Sequence, residues 1–252
     1  MDEASPEAIA KAALENNCQS VAFTYNDPVI FFEYARDVAK ACRERGIKTV
    51  AVTAGYIHPE PRKEFFKTVD AANVDLKSFS DQFYYKLTGS RLQPVLDTLI
   101  YLRNETQVWF EITTLLIPGQ NDSREEISAL SEWVVNELGT DIPVHFSAFH
   151  PDHKMKNLPP TPPETLYQAR DIALRAGLNY VYTGNVHHRE GDTTLCPRCG
   201  DPVIVRDWYQ IENYTLNENG QCEKCNNPIA GRYNSQAGQF GRQRIPISLG
   251  VS

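Results

Sequence analysis

Apolar and polar positions repeat with helical and strand-like periods in turn along residues 5–185, and the switches between the two predict an alternating array. Ser5 is a good N-cap with Pro6 at the first helical position, so a helix begins there and ends near Asn17. Residues 20–25 read as a buried strand. Residues 30–45 carry an amphipathic helix closed by Gly46, and residues 48–53 a strand. A short helix follows Pro59, then a strand at 74–77, a helix at 92–103 and a strand at 108–116. The helix at 123–138 has Glu125 and Glu126 in its first turn, where the helix dipole favours acids. A strand at 144–149, a helix at 162–176 ended by Gly177, and a strand at 180–183 complete the array.

Such alternation implies parallel strands joined by right-handed crossovers. About six strands are legible. A parallel βα array ordinarily opens on a strand, and this one opens on a helix. The expectation is an α/β fold: a partial (βα)6 barrel over residues 1–185 whose first strand and following loop are missing. An open sheet that begins with a helix is the alternative. Beyond residue 185 the periodicity fades. Residues 186–232 hold four cysteines and several turns and read as a separate small module, and residues 233–252 as an irregular tail.

A chain of 252 residues with 41% apolar and 23% charged residues can bury one substantial core and a small appendage. It has no run of eighteen apolar residues and no secretory signal at its acidic start, so no membrane span is expected and the cytoplasm is the expected location. The net charge of −7 argues against broad nucleic-acid binding.

Four of the six cysteines form two matched pairs, Cys196/Cys199 and Cys222/Cys225. Each pair closes a knuckle, with Gly200 and Asn226 after the second thiol, where a left-handed residue relieves the turn. Four thiolates fill tetrahedral zinc and leave no open position, so the reading is a zinc-ribbon-like structural site on Cys196, Cys199, Cys222 and Cys225. Iron held by the same four thiolates is the alternative; a redox dithiol would not need two matched pairs. Basic and acidic residues balance across 185–252, so the module lacks a footprint for phosphates and points to protein contact or structural closure. Cys18 and Cys42 fall on helices and read as small buried hydrophobes.

In βα folds the carboxyl ends of the strands converge on one site. Here they carry Thr24-Tyr25-Asn26-Asp27-Pro28, Val52-Thr53-Ala54-Gly55-Tyr56, Asp75-Leu76-Lys77, Pro118-Gly119-Gln120-Asn121-Asp122 and the stretch from His145 to His150. Asp75 and Lys77, two apart on a strand, share a face. A parallel strand packed on both faces should be apolar, so two charges there indicate either an ion pair or a polar ligand. His150 at the strand end is the better site candidate, and His145 reads as a core or rim residue. Glu111 and Thr113 share one face of their strand.

In this order the segments FTYNDP, EYARD, VTAGYI, DAANVDLKSF, FEITTLLIPGQND, HFSAFHPDHKM, PPTPPETL and VYTGNVH, with the two CxxC knuckles, resemble the radical S-adenosylmethionine enzymes of the AmmeMemoRadiSam system, relatives of the pyruvate formate-lyase activating enzymes. The resemblance runs from residue 5 to about 232. It implies a partial (βα)6 barrel, a [4Fe–4S] cluster on a CxxxCxxC loop after the first strand, and S-adenosylmethionine as the source of a 5′-deoxyadenosyl radical for hydrogen abstraction. Carried over by position, Tyr25, Asn26 and Asp27 stand in the motif that contacts the methionine amino group, Thr53 lies near the cofactor, Lys77 contacts it, Asp75 helps bind it or a cation beside it, and His150 lies near it.

The chain departs from the pattern. CxxxCxxC does not occur, Cys18 and Cys42 are too far apart to replace it, Asp27 stands where the family usually has Glu, and Ala54 where it usually has Asn. The expectation is therefore a fragment of a radical enzyme, inactive alone, binding zinc but no cluster. A cluster-free, zinc-stabilised scaffold derived from that family is the alternative. The substrate, a protein or a small molecule, is not legible, and self-association or a partner at an open barrel edge is expected.

Overall fold

The computed structural model describes residues 4–234, 237–238 and 245–247. Most of the expected tail at 233–252 therefore lies outside the described residues. The chain divides into two compact units, one of residues 4–76, 93–110 and 245–247, the other of residues 77–92, 111–234 and 237–238.

The first unit opens with α1 (Pro6–Glu15), capped as expected by the Ser5 hydroxyl, which accepts from the Ala8 N–H at 3.2 Å. It continues with β1 (Ser20–Phe23), α2 (Phe32–Arg43), β2 (Lys48–Thr53), α3 (Pro59–Phe66) and β3 (Ala71–Asp75), and includes α5 (Gln93–Glu105). Phe32, Phe65, Phe66 and Tyr101 form a chain of ring contacts in its core, and the Arg62 guanidinium lies 4.9 Å over the Tyr101 ring.

The second unit holds α4 (Asp81–Phe83), which runs into a π-helical turn at Tyr84–Thr88, then most of β4 (Trp109–Leu116), α6 (Arg124–Trp133) with a π-helical last turn at Val134–Leu138, β5 (Val144–Ala148), α7 (Pro163–Ala176) and β6 (Val181–Gly184). Gly177 at φ +111° closes α7 in the left-handed conformation the sequence expects. After α8 (Arg189–Asp192) come the antiparallel strands β7 (Thr194–Leu195), β8 (Pro202–Asp207) and β9 (Gln210–Tyr214).

The fold is α/β. Six strands form one parallel sheet in the order β1-β2-β3-β4-β5-β6, so chain order and sheet order coincide, as in a partial βα barrel. Three expectations need correction. Residues 20–25 are not a buried strand: among the described residues β1 has only β2 beside it, and of its residues Phe23 alone is buried. An edge strand is packed on one side only, so small and polar residues suffice. Second, β3 ends at Asp75, not at Lys77, so Lys77 lies beyond the strand although burial still alternates through Ser78.

The third concerns the sheet faces. Strands β2 to β6 each alternate fully buried with half-exposed or exposed residues. The buried set packs toward helices, α2 against β2 and α7 against β5 and β6. The other face is not sealed, so it accepts Glu111, Thr113, His145 and Ser147 without the full cost of burying them. A sheet packed on both faces could not.

Candidate functional site

The carboxyl ends of the strands are laced together by buried or half-buried polar side chains. In the first unit the lace is Asp27, in the loop after β1. Its Oδ1 accepts from the Thr53 hydroxyl at 2.8 Å and from the Val29 N–H at 3.1 Å, and its Oδ2 accepts from the Ala54 N–H at 2.8 Å. Thr53, 2% exposed, in turn accepts from the Gly55 N–H at 3.1 Å. Gly55 sits at φ +65°, and a Cβ there would stand 2.8 Å from Val74 Cγ1. The loop thus needs glycine on two counts, conformation and space. Ahead of Asp27 the chain is strained and open: Tyr25 has φ +70° and is 90% exposed, and Asn26 is exposed beside it.

The second unit repeats the device with other residues. Asn121, 2% exposed, accepts at Oδ1 from the Ile117 N–H at 2.7 Å and donates from Nδ2 to the carbonyls of Leu115 at 2.9 Å and Lys77 at 2.6 Å. The Thr161 hydroxyl donates to the Leu116 carbonyl at 2.6 Å and accepts from the Phe149 N–H at 2.9 Å, joining the ends of β4 and β5. Asn185, itself at φ +60°, donates to the Ala148 carbonyl at 3.1 Å and ties β5 to the turn after β6. Residues 77–79 are held further: the Lys77 N–H donates to the Tyr84 hydroxyl, and Glu126 Oε1 accepts from the Ser78 hydroxyl and the Phe79 N–H.

On the unsealed face, lower along β4–β6, Glu111 Oε2 lies 2.6 Å from His145 Nε2, and the His145 ring stacks on Tyr182 with centroids 5.0 Å apart. The register makes this a row, because Thr113 pairs with His145 and His145 with Tyr182. His145 and Glu111 stay about a third exposed at the side chain, so His145 is neither a core residue nor isolated. The Tyr182 hydroxyl bonds Thr194 at 2.8 Å, and Arg206 donates to the same threonine at 2.9 Å. Burial pushes the Tyr182 hydroxyl above its ordinary range.

The four cysteines come together as their spacing implies. Their sulfurs all lie within 4.8 Å of one another, with Cys196 and Cys225 at 3.5 Å and Cys199 and Cys222 at 3.8 Å. A regular tetrahedron with metal–sulfur bonds of 2.3 Å separates its sulfurs by about 3.8 Å. The four thiols therefore fit a single ion held in common. The two knuckles are near copies in backbone bonding. Gly200 and Asn226, both left-handed, donate to the carbonyls of Cys196 and Cys222 at 2.8 Å, while Cys196 and Cys222 donate to the carbonyls of Asp201 and Asn227. The core around them includes Tyr180, Val203, Ile204, Leu216 and Ile229. The Tyr180 hydroxyl accepts from the Ala230 N–H at 3.1 Å, and burial pushes that hydroxyl up to about 12. Asp201 grips Lys224 across the knuckles at 2.7 Å and raises its pKa by that hydrogen bond.

Of the residues singled out in the sequence, Tyr25, Asn26, Asp27 and Thr53 lie at the ends of β1 and β2, and Asp75 is the last residue of β3. Lys77 follows in the second unit, half-buried. His150 is exposed two residues past β5, outside the lacing bonds. Asn121 was named only within the strand-end stretch Pro118–Asp122 and given no role, and Thr161 and Asn185 were not singled out. The available signal was their setting: polar residues of small reach, each in a turn at or just beyond a strand end or before a helix.

A six-stranded parallel βα sheet with polar strand ends places the chain among the α/β proteins. Residues 1–130 match the Radical SAM superfamily. The chain belongs to that superfamily. An uncharacterized protein of Methanocaldococcus jannaschii is 40% identical over 228 residues, which is 90% of this chain and 67% of that protein. The pyruvate formate-lyase 1-activating enzyme of Escherichia coli K12 is 23% identical over 170 residues, 62% of this chain and 68% of the enzyme. A domain of the pyruvate-formate lyase-activating enzyme of Bacteroides vulgatus has the same fold, with a TM-score of 0.57 at 20% identity over 66% of this chain and 98% of that one.

Membership implies S-adenosylmethionine and an iron–sulfur cluster. These 252 residues contain no CxxxCxxC, and four of the six cysteines are gathered in the knuckles. Cys42 is buried and Cys18 half-buried. The residues present do not supply a ligand set for the cluster. Among the described residues, no helix is long and apolar enough to cross a membrane.

Proposed function

We propose that the chain is the S-adenosylmethionine-binding part of a radical enzyme of the AmmeMemoRadiSam type, with one structural zinc on Cys196, Cys199, Cys222 and Cys225. The observation that carries this reading is the lacing of the strand ends, which presets the backbone where the family binds its cofactor. The donor set suits that cofactor chemically. S-adenosylmethionine carries an ammonium, a carboxylate and a sulfonium; Asp75 and Lys77 are the two opposite charges, and exposed Asn26 adds an amide. When bound and reduced, this cofactor supplies a carbon radical for hydrogen abstraction.

The part of this chain is to bind and orient. Lys77 holds the methionine carboxylate, and Asp75 the ammonium or a cation beside it. Asp27 acts through the backbone it fixes, because both of its carboxylate oxygens already accept hydrogen bonds from Val29, Thr53 and Ala54. His150, exposed past β5, is free to close on a ligand. No step is routed through a cluster, for which these residues offer no ligands.

A single ion is favoured at the four cysteines because all four sulfurs lie close together, and zinc is the reading because four thiolates with no open position make a structural site. A four-iron cluster bonds each thiolate to a different iron and holds the sulfurs farther apart. The test is binding and metal content of the purified chain. One zinc per chain and saturable uptake of S-adenosylmethionine, strongly weakened in Lys77→Ala, are expected. Metal-free protein with intact knuckles, or no measurable uptake, overturns the corresponding half of the proposal.

A further inference from the structure

We infer that Asn121 is a positioning residue: its carboxamide fixes the backbone at Lys77 so that the lysine side chain meets S-adenosylmethionine. The inference rests on the role given to Lys77 above.

The strand β3 ends at Asp75, so residues 77–79 lie beyond it. Side chains hold them there. The carbonyl of Lys77 accepts from Asn121 Nδ2 at 2.6 Å, and its N–H donates to the Tyr84 hydroxyl at 3.0 Å. Both backbone polar groups of the one residue are thus fixed from outside its own segment. Ser78 and Phe79 are fixed next to it by Glu126 Oε1 at 2.5 and 2.8 Å, and Ser78 is 1% exposed.

Only asparagine satisfies the Asn121 position. Its Oδ1 must accept, because it faces the Ile117 N–H, and its Nδ2 must donate twice, because it faces the carbonyls of Leu115 and Lys77. The reversed amide would set oxygen against two carbonyls and nitrogen against an N–H, so the bonding pattern fixes the orientation. Aspartate keeps the bond from Ile117 but sets a carboxylate against two carbonyl oxygens. A strand end that needed only to be satisfied could use water. Here a side chain reaches across 44 residues of sequence to a single carbonyl, that of the residue whose charged side chain the ligand is to meet.

The test is a double-mutant cycle on the full chain, read by calorimetric titration with S-adenosylmethionine. Asn121→Asp and Asn121→Ala are expected to weaken binding about tenfold or more, the factor that corresponds to 1.4 kcal/mol. Tyr84→Phe, which loses only the hydroxyl that accepts from Lys77, is expected to weaken it less. Lys77→Ala weakens it most, and adding Asn121→Ala to Lys77→Ala costs nothing more, because Asn121 acts through Lys77. The zinc content and the thermal midpoint of Tyr84→Phe stay near those of the unmodified protein, so the readout survives even where Asn121→Ala fails to fold. Full affinity in Asn121→Asp and Tyr84→Phe, with Lys77→Ala impaired, overturns the inference and leaves the proposed function standing. Additive losses in the cycle also overturn it. Full affinity in Lys77→Ala, or none in the unmodified chain, overturns the role of Lys77 and the inference with it.

Discussion

In the cysteine knuckles the polar atoms that matter point at one another and at a common centre. Backbone hydrogen bonds shape the two turns so that four sulfurs converge within 4.8 Å. At the strand ends the arrangement is reversed. There the side chains of Asp27, Asn121, Thr161 and Asn185 turn toward backbone and fix it. In the first region the backbone serves side-chain chemistry; in the second, side-chain chemistry serves the backbone. A residue type at a strand end is therefore a poor guide to what it touches, whereas a cysteine in a matched pair is a good one.

The largest test of this contrast is removal of the proposed zinc. Structural zinc in small modules contributes on the order of 10 kcal/mol or more to folding, and a four-cysteine knuckle has little else to close it. Cys222→Ser is expected to lose the ion and to open the segment from Thr194 to Ala230 to protease, while β1–β3 keep their protection from hydrogen exchange. Unchanged protease resistance in Cys222→Ser would mean that the apolar core around Tyr180 and Leu216 holds the module without metal.

Next in size is Gly55→Ala. The substitution meets both a left-handed backbone and Val74 at 2.8 Å, and should cost about 2–4 kcal/mol in a chemical unfolding titration. An effect below 1 kcal/mol would show that the strand-end backbone is not fixed as tightly as its lacing implies. Asp27→Ala follows at about 2–3 kcal/mol, because three donors lose a half-buried carboxylate. If Asp27 were instead a ligand group, its loss would leave stability unchanged and weaken only binding of S-adenosylmethionine. The two outcomes separate lacing from ligation at one residue.

How much of this was legible in the sequence follows the same division. The alternation of α1 to β6 was readable because amphipathic periods, Ser5 and Gly177 act locally. The four cysteines were readable because their spacing encodes the chemistry. The burial of β1 was misread because apolar content does not tell an edge strand from a central one. Lys77 was placed on β3 because burial alternates past the point where the ladder ends. Asn121 was passed over because its significance lies in the Lys77 carbonyl, distant in sequence and brought near only by the fold. The strands β7–β9 were unreadable for another reason: their side chains pack around the cysteines rather than on a periodic face.

The Glu111–His145 pair gives the smallest effect and the sharpest limit on the contrast. It is short, at 2.6 Å, yet it stands on the unsealed face with both side chains about a third exposed. If lacing owes its strength to burial, this pair should be weak despite its geometry. Water screens it, and each partner keeps solvent when the other is removed. A double-mutant cycle of Glu111→Gln and His145→Gln is expected to give a coupling of about 0.2–1 kcal/mol, well below the loss in Asp27→Ala. A coupling as large as that loss would mean that the face is closed in solution. The row from Glu111 through His145 to Tyr182 would then count as a buried network, and the strand ends would lose their special standing.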